Sequence, residues 1–268
     1  MYKKLLLTLI LVSALCFSLD LIYPKVDNIK TGQVIDLGAI GPGETVLVQI
    51  DPIVKTGGIY GEGGQYDYAV AGSLPPGWTA SDSKLYQNQL HVTLTAPPDA
   101  PPGDYTAKIT VVDERNGEHL GNVTFIAKIK ITWDVMDFDV NPKEVTAGPG
   151  QPATFTIKIT NKGSTSDVFH VSLNGPKKWQ FTKDVFVPAE TTKEFHYEIA
   201  GTEDGTYPST LNIVSLASKN IAAQKNVTLT VKSDLWGDFK ATNHGIIVFP
   251  IFESVAYSFA GLISNLFG

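Results

Sequence analysis

The chain has 268 residues, 43% of them hydrophobic and 18% charged, with a net charge of −6. Arg115 is its only arginine, and the other basic residues are lysines. Nucleic-acid binders present clustered basic faces rich in guanidinium groups, so this balance excludes that class. The length suits two domains, each large enough to bury its own core.

The N-terminus reads as an export signal over residues 1–18. Lys3 and Lys4 precede an apolar run from Leu5 to Phe17, and Ser18 is a small residue suited to cleavage. A spanning helix needs ~20 apolar residues, more than this run supplies. A lipoprotein signal fits less well, because Leu15 stands before Cys16 where a small residue belongs. Cys16 is the only cysteine, so the mature chain would contain none. An exported protein without disulfides must draw its stability from core packing, which suits a prokaryotic envelope better than a small stapled secreted factor.

From Leu19 onward, short β-branched and aromatic runs alternate with Gly, Pro, Asn and Asp punctuation, the pattern of an all-β sandwich. The first unit is expected over residues 19–133. It ends in a strand with Val123, Phe125, Ala127 and Ile129 on the inward face. The second unit is expected over residues 134–232. Its strands VFHVSL and EFHYEI alternate in the same way, with Phe169, Val171, Leu173, Phe195, Tyr197 and Ile199 inward.

The second unit repeats the first. LPPGW ends at Trp78 and GPKKW at Trp179; Tyr105 and Tyr207 follow 27 and 28 residues later; NVT then begins at Asn122 and Asn226. Three landmarks held at such similar intervals mark one unit of ~100 residues occurring twice. The tryptophans are expected between two sheets, and the tyrosines at the corner of a sheet turn. Ile131 to Pro142 joins the units with little spacer, so a stiff rod is expected.

The runs PGQPATFTIKITNKGSTSDVFHVSL and DGTY, together with LPPGW and APPDAPPGDY, resemble the immunoglobulin-like modules of prokaryotic, archaeal-type surface proteins. The likeness is to the α-galactosidase-associated and adhesion-related (CARDB-like) sandwiches, and it covers about Leu19 to Lys232. It implies two tandem immunoglobulin-like β-sandwiches. It implies no activity, because such modules serve as spacers, adhesive units or accessories beside enzymes.

Candidate sites are few. The first unit carries an insertion, TGGIYGEGGQYDY (Thr56 to Tyr68), between its second and third core strands, and a DERNGEHLGN loop (Asp113 to Asn122) between its last two. In a sandwich these loops share one end. Tyr60, Glu62, Gln65, Tyr66, Arg115, Asn116 and Glu118 are the candidate contacts there, for a surface glycan or a protein; a plain flexible hairpin is the alternative. Asn122 and Asn226 begin N-x-T acceptor patterns for glycosylation, or are turn asparagines before a strand. Asp134, Asp137 and Asp139 are candidate calcium ligands at the junction, against a default of solvated strand acids. His91, His119, His170, His196 and His244 have no metal-motif spacing. No GxSxG elbow is present, Glu194 and Glu198 alternate on a wet face, and no residue set nominates a reaction or a cofactor.

The chain closes with a linker over residues 233–249 and an apolar helix expected over 250–268. Pro250 suits a first helical position, and Glu253 suits the first turn. From Pro250 to Phe267 an α-helix would measure about 27 Å, against a hydrocarbon core of ~30 Å. Membrane insertion through Ile246–Phe267 is therefore expected. Ser254, Ser258, Gly261 and Asn265 form a small and polar stripe for self-association or a partner helix, or for the wet side of an interfacial helix. Together these features suggest a non-enzymatic, membrane-anchored surface protein for adhesion or envelope scaffolding. The alternatives are an accessory subunit of a membrane complex and a carbohydrate-binding accessory of a secreted hydrolase.

Overall fold

The computed structural model describes residues 19–233. The expected signal, most of the expected linker and the expected apolar helix lie outside the described residues. Two compact units divide between Thr132 and Trp133. Among the described residues no helix is long and apolar enough to cross a membrane.

The first unit contains β1 (Leu19–Tyr23), β2 (Asp27–Ile29), β3 (Val34–Ile40), β4 (Thr45–Asp51), β5 (Ile53–Val54) and β6 (Gly64–Gln65). It continues with β7 (Tyr68–Gly72), β8 (Thr79–Ser81), β9 (Leu90–Thr95), β10 (Gly103–Val112) and β11 (Val123–Ile131). One sheet has the order β2-β1-β4-β9-β8 and the other β3-β11-β10-β7. Alternating residues of both sheets fill one core, with Leu21, Val48, Ile50 and Val92 from the first and Ile35, Ile109, Phe125 and Ala127 from the second. The pairing of β3 with β11 is parallel, while the pairs within the first sheet are antiparallel. An initial strand divided between two sheets, with its second half beside the last strand, makes this an immunoglobulin-like sandwich.

The second unit contains β12 (Met136–Asn141), β13 (Glu144–Ala147), β14 (Pro152–Asn161), β15 (Asp167–Asn174), β16 (Phe181–Val187), β17 (Thr192–Ala200), β18 (Gly205–Ser215) and β19 (Ala222–Val231). Its sheets run β12-β14-β17 and β13-β19-β18-β15-β16. The second unit has no counterpart of β2 or of the β5-β6 ribbon, and otherwise the plan matches the first except for the strand that follows the tryptophan. In the first unit that strand, β8, is three exposed residues paired with β9. In the second it is the seven-residue β16, paired with β15 in the opposite sheet. The sequence accounts for the switch. FTKDVFV alternates and lays Phe181 against Tyr197, with ring centroids 4.2 Å apart, and Lys183 over the Phe195 ring at 4.4 Å. The corresponding TASDSKLYQNQ has no such apolar face.

Both units therefore protect the same vulnerable edge by different means. In the second, β16 covers β15. In the first, the outer edge of β7 is capped by side chains: the amide of Ala69 donates to Ser83 Oγ at 2.7 Å, and that of Ala71 to Asp82 Oδ1 at 2.8 Å. An exposed strand edge is otherwise a template for unwanted pairing.

The repeated Trp–Tyr landmark has one physical form in both units. Trp78 is buried beside Tyr105 with ring centroids 5.5 Å apart, and Trp179 beside Tyr207 at 5.2 Å. Each tyrosine hydroxyl donates to the carbonyl four residues upstream, Tyr105 to Pro101 and Tyr207 to Glu203, both at 2.9 Å. This is the tyrosine corner that pins the loop before the penultimate strand. Trp179 also donates to the Ala200 carbonyl at 3.2 Å, whereas Trp78 Nε1 has no partner among the described residues. Replacing Tyr105 or Tyr207 by Phe should keep the ring packing and lose one hydrogen bond, lowering stability by about 1 kcal/mol. Urea unfolding should show this as a lower midpoint with unchanged slope.

Candidate binding tip of the first module

The insertion between β4 and β7 is an ordered structure built on close backbone approaches. β5 pairs with β6, and the Gly63 amide donates to the Gly57 carbonyl at 2.8 Å. Gly63 has φ +93°, and a Cβ there would sit 1.9 Å from the Val54 carbonyl oxygen. Only glycine meets both conditions. At Gly58 a Cβ would come within 3.0 Å of the Glu118 carbonyl oxygen, so the insertion also lies directly against the loop between β10 and β11.

That second loop is held by a buried carboxylate. Asp113, 3% exposed, accepts from the Glu118 amide through Oδ1 at 3.1 Å and from the Leu120 amide through Oδ2 at 2.8 Å. Asn122 Oδ1 accepts from the Asp113 amide at 3.2 Å, and Asn116 Oδ1 from the Gly121 amide at 3.1 Å. The chain reverses here through Arg115, Asn116 and His119, all at positive φ. Such conformations are costly for residues with a Cβ and persist where the surroundings fix them.

Asp67 ties three segments together. Its amide donates to the Val112 carbonyl at 3.0 Å, its carbonyl accepts from the Tyr86 amide at 2.8 Å, and its Oδ2 accepts from the Glu114 amide at 2.5 Å. The connection between β8 and β9 is thereby drawn into the tip. A surface depression of about 530 Å³ results, lined by Asp67, Tyr86, Asp113, Glu114, Arg115 and Glu118 among others. Four acidic residues and one arginine line it, so the lining is mainly acceptor in character.

Of the expected contacts, Tyr60 stands 87% exposed, and Glu62, Gln65, Arg115, Asn116 and Glu118 are exposed as well. Tyr66 corrects the expectation. It is fully buried in the core, so it supports the insertion from beneath and presents nothing to solvent. Burial, with Asp113 as the lesser cause, pushes its phenol up to about 12. The three junction aspartates are not gathered into a metal site. Asp134 pairs with Lys162, while Asp137 and Asp139 are exposed on β12 opposite Thr160 and Lys158. Among the described residues no group of three or more His, Cys, Asp or Glu is placed to hold a metal. Asn122 lies just before β11, but Asn226 sits inside β19 opposite Thr210 rather than opening it. Both asparagines are exposed. His170 lies 2.6 Å from Asp184 on the outer face of β15 and β16.

Asp67 and Tyr86 were missed by sequence reasoning. An aromatic within the polar run SDSKLYQNQ was the available signal, and only the fold brings it beside the other two loops.

The equivalent end of the second module turns inward. Asn161 Nδ2 donates to the carbonyls of Thr165 and Val187, and Ser215 Oγ accepts from the amides of Ala217 and Ser218. Asp167 is buried beside them, and that burial raises its carboxyl above the usual range, partly offset by hydrogen bonds from Ser215 and the Val168 amide. This end is a closed polar plug.

No family model and no curated protein sequence matches the chain. Among solved structures it is similar to a CARDB domain from Pyrococcus furiosus in complex with di-metal ions, at 17% identity and a TM-score of 0.28, covering 37% of this chain and 92% of that one. It is also similar to a chimeric titin Z1Z2 carrying a decorin peptide, at 10% identity and a TM-score of 0.38, covering 82% and 99%. A third is the complex of zinc 2-glycoprotein with prolactin inducible protein from human seminal plasma, at 12% and 0.32, covering 37% and 95%. At these values the immunoglobulin-like fold rests on the strand order of the chain itself.

Tyr66 provides a test of how the tip is supported. Its hydroxyl has no partner among the described residues. Tyr66→Phe should leave stability at pH 8 unchanged or raise it by about 1 kcal/mol. Between pH 10 and about 12 the unfolded phenol ionises while the folded one stays protonated. Stability falls with rising pH across that window, by up to about 1.4 kcal/mol per pH unit. Denaturation between pH 8 and 11.5 should show a smaller alkaline loss in Tyr66→Phe; equal losses would contradict the burial.

Proposed function

We propose that the chain is an exported, non-enzymatic surface protein. Ile246–Phe267 holds it at a membrane, and its first module makes contacts in adhesion or envelope scaffolding. One observation carries this reading: three separate segments of the first module are locked together through Asp67 and Asp113, yet Tyr60, Glu62, Gln65, Arg115 and Glu118 remain exposed on them. A rigid platform of this kind binds without first losing loop entropy. The plugged end of the second module offers no such display. Exposed tyrosine, arginine and carboxylate side chains around a depression match the composition of binding hot spots and adaptable polar rims. Export is inferred from residues 1–18, and N-linked sugars at Asn122 and Asn226 fit that location.

Two arms test this. Full-length protein and a version lacking Gly245 to Gly268 are expressed and their membranes extracted at high pH; only the full-length form should resist extraction. Protein lacking Gly245 to Gly268, which keeps both cores and cannot insert through the tail, is also bound to isolated cell envelopes, beside the same protein carrying Tyr60→Ala/Arg115→Ala/Glu118→Ala. Binding should weaken at least tenfold, or about 1.4 kcal/mol. Undiminished binding by the triple variant would remove the tip from the contact.

A further inference from the structure

The connection between β8 and β9 carries a feature that its local structure does not require. Tyr86 occupies a turn at φ +56°, a left-handed conformation in which glycine or asparagine would be less costly. The conformation is held from outside by the hydrogen bond from its amide to the Asp67 carbonyl, and within the turn by the Lys84 amide donating to Gln87 Oε1 at 3.1 Å. The side chain held this way is 65% exposed. A strained backbone that directs an aromatic ring into water gains nothing in packing, and strain of this sort collects at binding sites.

The surroundings of the ring indicate what it meets. Tyr86 borders two depressions. One is the carboxylate-rich hollow of about 530 Å³ beside Arg115 and Glu118. The other, of about 540 Å³, is lined by Gln87, Asn88, Gln89 and His91. Carboxamides both donate and accept, carboxylates accept, and Arg115 donates. A ring with an apolar face, flanked on one side by carboxamides that donate and accept and on the other by a mainly acceptor lining with one guanidinium, is complementary to a pyranose. Its C–H face lies against the aromatic, and its rim of hydroxyls needs both kinds of partner. An apolar peptide would need apolar walls in place of the amides. A cationic peptide would use the carboxylates but leave the amide-lined side without a role.

We propose that Tyr86 is the stacking platform of a saccharide-binding site, with a sugar chain crossing from the amide-lined depression to the carboxylate-lined one. The inference rests on the contact role of this tip and names the ligand class. Gln87 is a positioning residue, since its side chain braces the turn. Asn88, His91, Arg115 and Glu118 are the groups that touch hydroxyls.

The test is affinity electrophoresis of the full-length chain through native gels containing soluble mannan, galactan, mixed-linkage glucan or polygalacturonate. Wild type, Tyr86→Trp and Tyr86→Gly are compared. Glycine suits the positive φ, so Tyr86→Gly should melt at or above the wild-type temperature and keeps the fold out of the question. The proposal expects retardation of wild type by at least one polysaccharide, affinity within about threefold for Tyr86→Trp, and at least a tenfold loss for Tyr86→Gly. Equal retardation of wild type and Tyr86→Gly would place sugar binding elsewhere and overturn the site. No retardation by any polysaccharide, with cell envelopes still captured through Tyr60, Arg115 and Glu118, would overturn the saccharide inference and leave the contact role standing. Salt-sensitive capture by poly-lysine alone, weakened at least tenfold in Glu114→Gln/Glu118→Gln, would assign the depression to a cationic chain, which also overturns it. Loss of both polysaccharide and envelope binding in the wild type would bring down both.

Discussion

A backbone amide that leaves a β-ladder must bond to water or to another acceptor, and at the tip of the first module two aspartates supply the acceptor. Asp113 takes the amides of Glu118 and Leu120, and Asp67 takes that of Glu114 through its carboxylate and that of Tyr86 through its carbonyl. Three loops distant in sequence share this arrangement. Without it, Arg115, Asn116, His119 and Tyr86 have no reason to hold positive φ, and the loops would sample many conformations. The candidate site therefore depends on a few hydrogen bonds laid over an ordinary sandwich core. Charged acceptors give such bonds more strength than neutral pairs.

The two modules solve one problem of architecture in different ways. A seven-residue alternating strand in the second covers the edge of β15, and hydroxyl and carboxylate side chains in the first cap β7. The choice has consequences for function. Where the edge is covered by a paired strand, the neighbouring end closes on itself around Asn161 and Ser215. Where it is covered by a non-ladder segment, that segment has freedom to turn outward at Tyr86 and join the tip. The display of the first module thus follows from the absence of a paired strand at the outer edge of β7.

Much of the fold was legible because period-two alternation admits only one buried face. Val123, Phe125, Ala127 and Ile129 lie inward, as do Phe169, Val171 and Leu173. The Trp–Tyr intervals marked real corners, because the hydroxyl bond fixes the tyrosine relative to the carbonyl four residues before it. Parity said nothing about which sheet the strand after each tryptophan joins, since that is decided by edge pairing over long range. Tyr66 was misplaced for a related reason. A tyrosine within a glycine-rich run looks exposed, but β6 returns it to the core, where Gln65 alone of the pair faces out. Asp67 and Tyr86 could not be joined to the site from sequence, because a main-chain hydrogen bond across 19 residues leaves no mark on residue type.

The tip is a preformed platform and not a set of flexible loops. Amide hydrogen exchange on the full-length chain, read residue by residue, tests it directly. The amides of Tyr86, Glu114, Glu118 and Leu120 should exchange orders of magnitude more slowly than in an unfolded chain, while that of Tyr60, at the exposed crest, exchanges fast. Unprotected exchange at all four would contradict the account, since the acceptors at Asp67 and Asp113 would then not be holding the loops.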